Sequence, residues 1–142
     1  MGLDQYAYVA AKAGQRDEYW NQHDLPEDQR TVNKPREIAY WRKHPNLQGW
    51  MERLWREKGR PGGDSGQEEQ WGSGFNGVEL ELTWEDIDRL EQAIRSGQLP
   101  NTQGFFFGEP RDDYYREQDL EFCRNARADL FCGLKVFYNS SW

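Results

Sequence analysis

Cysteine and histidine are scarce in this chain of 142 residues, which contains two of each. Two cysteines are too few for a disulfide framework, and Cys123 and Cys132 stand nine positions apart, outside zinc-ligand spacing. His23 and His44 have no second ligand at metal-site spacing. Long apolar runs are also missing: no stretch of about 18 such residues occurs, so no membrane-spanning helix is expected. The opening residues lack the basic and apolar regions of an export signal, and Tyr6 stands where a myristoylation signal has Ser or Thr. The expectation is a cytoplasmic chain with both thiols free. Leu, Ile and Val are few, whereas Trp, Tyr and Phe number seven each. The core must therefore be rich in aromatic rings, and any rings left over are natural anchors for a partner.

The net charge of −7 disfavours phosphate backbones and anionic lipid, so neither nucleic acid nor membrane is an expected partner. Lys34, Arg36, Arg42 and Lys43, followed by Arg53, Arg56, Lys58 and Arg60, form basic groups best read as solvated.

The length suits a single α+β domain spanning 1–142, with flexible insertions at about 14–34 and 59–77. Leu3 to Ala11 alternates around Tyr6 and Tyr8 and predicts a strand. Positions 14–34 are polar and read as a loop with room for a short helical turn. Glu37 to Arg42 predicts a second strand. Pro45 and the capping candidate Asn46 precede Leu47, Trp50, Met51, Leu54 and Trp55, an apolar stripe at helical spacing that ends near Gly59. Gly59 to Gly77 holds seven glycines and reads as a mobile loop. Val78 to Leu82 alternates as a strand. Thr83 opens a second helix with Asp86 in capping-box position, Ile87, Leu90 and Ile94 buried, and Gly97 as the stop. A third helix is expected from near Asp119 to Cys132, with Leu120, Cys123, Ala126 and Leu130 inward, followed by a strand over Leu134 to Tyr138. The sum is a mainly antiparallel sheet of about four strands with about three helices packed mostly on one face.

Motifs for chemistry are sparse. Gly72-Ser73-Gly74-Phe75-Asn76-Gly77 has the glycine spacing of a dinucleotide loop. It precedes a predicted strand instead of opening a helix, so it carries no nucleotide assignment. No nucleophile elbow is present. Asp112-Asp113 and Glu85-Asp86 read as solvated carboxylates, the latter pair favoured in a first helical turn. His44, beside a predicted helix N-terminus, is the best single candidate for chemistry, against the simpler reading of a histidine bonded within its own turn. In Gly104-Phe105-Phe106-Phe107-Gly108, extended-chain alternation sends Phe105 and Phe107 to the core and leaves Phe106 as a surface anchor.

The segments Met1-Gly2-Leu3-Asp4-x-Tyr6, Ile38-Ala39-Tyr40-Trp41-Arg42-Lys43-His44-Pro45-Asn46-Leu47 and Trp50-Met51, with Leu99-Pro100-x-Thr102-x-Gly104-Phe105-Phe106-Phe107-Gly108 and the ending Ser140-Ser141-Trp142, resemble a family of small phage and bacterial proteins. The resemblance covers most of the chain outside the two insertions. Some members carry the name phosphoglycerate kinase, which this chain does not fit, being too short for two substrate-binding domains. The resemblance implies a small effector, in the host cytoplasm where the gene is phage-borne, that binds a host protein or a small ligand.

Three functions are weighed. The first is a non-enzymatic binding protein that presents an aromatic-rich surface. The second is a small-molecule enzyme or ligand-sequestering protein centred on His44, with Asp4, Arg42 or Tyr6 nearby. The last is an acidic decoy for a nucleic-acid-binding protein. Candidate ligand- or partner-binding residues are Asp4, Tyr6, Arg42, His44, Asn46, Phe106, Tyr138 and Trp142. No catalytic residue, metal ligand or cofactor is assigned. Convergence of the polar candidates in one pocket points to a ligand site, and a flat aromatic patch to a protein partner.

Overall fold

A computed structural model describes residues 2–62, 74–102 and 110–142. Four strands, β1 (Asp4–Ala10), β2 (Arg36–Arg42), β3 (Leu80–Leu82) and β4 (Lys135–Ser141), form one antiparallel sheet in the order β2-β1-β4-β3. The described helices are α1 (Gln15–Asn21), α2 (Pro45–Glu57), α3 (Trp84–Arg95) and α4 (Asp112–Phe131), with a 3-10 turn at Glu27–Gln29. The α+β expectation holds, with four helices instead of three.

Period-two alternation decides which residues meet the helices. Gln5, Ala7 and Val9 of β1 lie beside Trp41 on β2 and Val136 and Tyr138 on β4, and all are buried. Leu80 and Leu82 extend this face across β3. Leu47, Met51, Leu54 and Trp55 of α2, Ile87, Leu90 and Ile94 of α3, and Leu120, Phe122, Cys123 and Ala126 of α4 pack onto it as one core. Tyr6, Tyr8, Tyr40 and Phe137 fall on the opposite face. A bulge at Ala7/Tyr8, with Ile38 as the extra residue on β2, shifts the pairing there.

Local signals explain the helix ends. Thr83 accepts from the Asp86 N–H while the Asp86 carboxylate accepts from the Thr83 N–H, a complete capping box. Gly97 stops α3 in a left-handed conformation, φ 68°, which suits glycine. At α2, Pro45 takes the first helical position and His44 the cap position. Asn46 does not cap. Its side chain bonds Asp112 and the Thr102 N–H.

Several boundaries differ from expectation. The 14–34 segment contains α1, because Gln15 is buried and ties Ala11 to Asn33 through its amide. β3 is only three residues long. Val78 and Glu79 lie outside it, and Glu79 accepts hydrogen bonds from the Tyr8 hydroxyl and the Gly14 N–H. α4 starts at Asp112, so Asp119 lies inside the helix and not at its start. In the glycine-rich stretch Phe75 is fully buried, its ring 4.9 Å from Trp55 and 6.2 Å from Tyr138, so this end of the expected insertion belongs to the core. Residues 63–73, with Trp71, lie outside the described residues, as do Phe105, Phe106 and Phe107. Cys123 and Cys132 are free, the first buried with its thiol pushed up to about 12 by desolvation, the second exposed. Among the described residues no helix is long and apolar enough to cross a membrane.

Candidate functional site

The sequence candidates separate onto the two faces of the sheet. His44 and Tyr138 lie on the covered face inside a polar cluster, fully buried. The Gln5 side chain clamps the His44 backbone, accepting from its N–H at 2.8 Å and donating to its carbonyl at 3.0 Å. The His44 ring Nε2 sits 2.8 Å from Asp119 Oδ2, and Trp41 Nε1 donates to Asp119 Oδ1 at 2.8 Å. The ring stacks on Tyr115, with centroids 4.5 Å apart. The Tyr115 hydroxyl donates to the Arg42 carbonyl, and burial raises its pKa. The Tyr138 hydroxyl donates to Gln48 and accepts from Gln5, and burial pushes its pKa far above the ordinary phenol range, so it stays a proton donor.

Three atoms of this cluster have no hydrogen-bond partner among the described residues: His44 Nδ1, Gln48 Nε2 and Ser140 Oγ. Asp119 as acceptor favours the tautomer with the proton on Nε2, which leaves a lone pair on Nδ1, 4.0 Å from Asp112 Oδ1. An aspartate holding an imidazole is the orienting half of general-base chemistry. Here, however, His44 has no solvent exposure. A crevice among the described residues that reaches Asp119, lined in part by Leu99, Asp112 and Arg116, measures about 50 Å³, too small for a metabolite. No group of three or more metal-ligating side chains occurs among the described residues.

Asp4, Tyr6 and Arg42, expected near His44, lie on the opposite face. Asp4 Oδ1 accepts from the Tyr40 hydroxyl at 2.6 Å and from Arg42 Nη1 at 2.9 Å. The Tyr40 hydrogen bond lowers the Asp4 carboxyl pKa, with Arg42 adding to it against a smaller opposing effect of burial. Tyr6 packs on Tyr40 with centroids 5.2 Å apart. Asn46, at the start of α2, adjoins the His44 cluster: it donates to Asp112, whose Oδ1 stands 4.0 Å from His44 Nδ1. The Trp142 N–H donates to the Asn76 side-chain oxygen and its carbonyl accepts from the Asn76 amide, and its ring packs at the core margin.

On the sheet face that carries Tyr6, Tyr8, Ala10 and Phe137 form a small buried cluster, and beside it lies a recess of about 310 Å³, lined by Tyr6, Tyr8, Arg16, Trp20, Lys34, Pro35 and Glu37. β1 supplies Tyr6 and Tyr8 from alternate positions, α1 supplies Arg16 and Trp20, the segment entering β2 supplies Lys34 and Pro35, and β2 itself supplies Glu37. Tyr8 is fixed by its 2.6 Å hydrogen bond to Glu79 and by stacking on Phe137 at 5.7 Å. Of these residues only Tyr6 was a sequence candidate. The signal for Tyr8 was present in its i, i+2 relation to Tyr6. Arg16 and Trp20 depend on a helix that their polar surroundings concealed. Asp119 could have been found as a carboxylate on the apolar stripe shared with Tyr115 and Cys123. Comparison with known proteins finds no matching family model, no similar curated protein and no similar solved structure.

Proposed function

We propose that this chain is a non-enzymatic binding protein whose recognition surface is the open face of the sheet, and that it takes a small ligand in preference to a protein surface. One observation carries the reading: Tyr6 and the half-exposed Trp20, left outside the core, meet Arg16 and Lys34 in a concave recess above the buried Tyr8, and a flat protein patch does not have that form. The resemblance to small phage and bacterial proteins is compatible with a small effector acting in a host. The test is capture from bacterial lysate on immobilised protein, with mass spectrometry of retained metabolites and proteins. Species held by the wild type and lost by the Tyr6→Ala, Trp20→Ala double variant support the reading. Identical retention by both baits, or none by either, ends it.

The enzyme reading rests on the unpaired His44 Nδ1. Its test is whether a species captured by the wild type is chemically changed during incubation and left unchanged by a His44→Gln variant that still folds.

A further inference from the structure

Resting on that reading, we propose that the recess binds a small ligand in which a planar ring carries an anionic group, either phosphate or carboxylate. Tyr8 forms a rigid floor because Glu79 and Phe137 hold it in place, and Tyr6 continues that floor. Trp20, 51% exposed, stands over the recess as a wall. Tyr8 is buried under Arg16, so the faces offered to a flat ring that stacks on aromatic side chains are those of Tyr6 and Trp20.

The charges supply the second half of the argument. Neighbouring cations are neutralised within the chain: Lys12 by Glu18 at 2.9 Å, Arg36 by Asp129 at 2.7 Å and Arg42 by Asp4 at 2.9 Å. Arg16 and Lys34 form no ion pair among the described residues. Each instead lies over an aromatic ring of the recess, Arg16 at 5.5 Å from the Tyr8 centroid and Lys34 at 5.8 Å from that of Trp20. Their charges thus lie within the recess, against its rings, with no carboxylate paired to them among the described residues. Among the described residues Glu37 is the one carboxylate in the lining, so two cations face one anion in a chain whose net charge is −7. The wider negative field repels a polyanion, and this local excess accepts a single small anion. The volume is at the lower end for small-molecule sites, roughly 300 to 1,000 Å³.

Calorimetric titration of the full chain tests the proposal. The probes are adenosine 5′-monophosphate and indole-3-acetate, one for each source of the anion. Adenosine, inorganic phosphate and a ten-nucleotide single strand serve as comparators. At least one ring-bearing anion should bind, and more weakly as salt rises. If it is the nucleotide, it should bind about tenfold tighter than adenosine. An Arg16→Gln, Lys34→Gln variant with an unchanged melting curve should bind it about tenfold more weakly, and Trp20→Ala should lose a comparable factor. The proposal falls if neither ring anion binds, if the monophosphate is the one that binds and adenosine matches it, if the charge variant binds like the wild type, or if the oligonucleotide binds most tightly. Should both ring anions fail while lysate capture still depends on Tyr6 and Trp20, the ligand class is wrong and the binding surface stands.

Discussion

Gln5 and Tyr6 are neighbours in β1, yet the pleat sends one into the helix-covered core and the other onto the open face. On the covered side nearly every polar group is used internally: Gln5 holds His44, and Asp119 accepts from both His44 and Trp41. On the other side Arg16 and Lys34 of the recess form no ion pair among the described residues, and Trp20 is half exposed. Polarity alone therefore does not mark a site in this protein. The polar residues that look most like chemistry, His44 with Asp119, are enclosed in the core, and the half-exposed ring of Trp20 lies on the other side.

The sharpest way to break this contrast is at Asp119. Asp119→Ala removes the acceptor of both His44 Nε2 and Trp41 Nε1 in a fully enclosed place. It should lower stability by about 3–5 kcal/mol, as measured by urea unfolding. A loss below about 1 kcal/mol would mean that the cluster is dispensable for folding, and the case for His44 as a site would revive. Tyr138→Phe is milder. It deletes a hydroxyl that bridges Gln5 and Gln48 and should cost about 1–3 kcal/mol.

Away from both faces, Thr83→Ala breaks the capping box of α3 and should cost about 1 kcal/mol. The same corner has a pH signature. Burial opposes ionisation of Asp86, but hydrogen bonds from Lys58 and the Thr83 N–H outweigh it and hold the carboxyl below its ordinary 3.8. A depressed folded pKa adds stability that is present above the unfolded value and lost as pH falls through the folded one. Melting temperature should therefore decline as pH drops below about 4, and Asp86→Asn should flatten that decline. An unchanged slope would show that other carboxylates dominate.

The sheet and the three larger helices were legible because they carry strong periodic signals: the alternation at Tyr6 and Tyr8, the stripe from Leu47 to Trp55, and the box at Thr83 and Asp86. What was not legible depended on tertiary partners. α1 is too short and polar to announce itself and is held by the Gln15 amide bonding to chain on either side. Phe75 sits among glycines, and its burial between Trp55 and Tyr138 depends on how the loop returns to the core. The candidate set placed Asp4, Tyr6 and Arg42 near His44, but the pleat sends them to the face opposite Gln5 and Trp41. Strand parity separates Arg42 from Trp41, and the side chain of one is on the far side of the sheet from the other's.

The smallest stability effect is expected at Trp20, and it sharpens the contrast most. Its ring is half exposed on α1, touching Tyr19 edge-on at 5.3 Å, and it is absent from the core cluster. Trp20→Ala should change unfolding free energy by less than about 0.5 kcal/mol, the usual range for a surface substitution. A tryptophan kept half in water contributes little to folding, so its value to the protein should lie in what it contacts from outside. The variant thus separates the two faces: it should melt with the wild type yet lose whatever the wild type captures. A melting temperature lowered as far as that of Tyr138→Phe would show Trp20 to be a structural lid over Tyr8, and the open face would then serve folding no less than the covered one does.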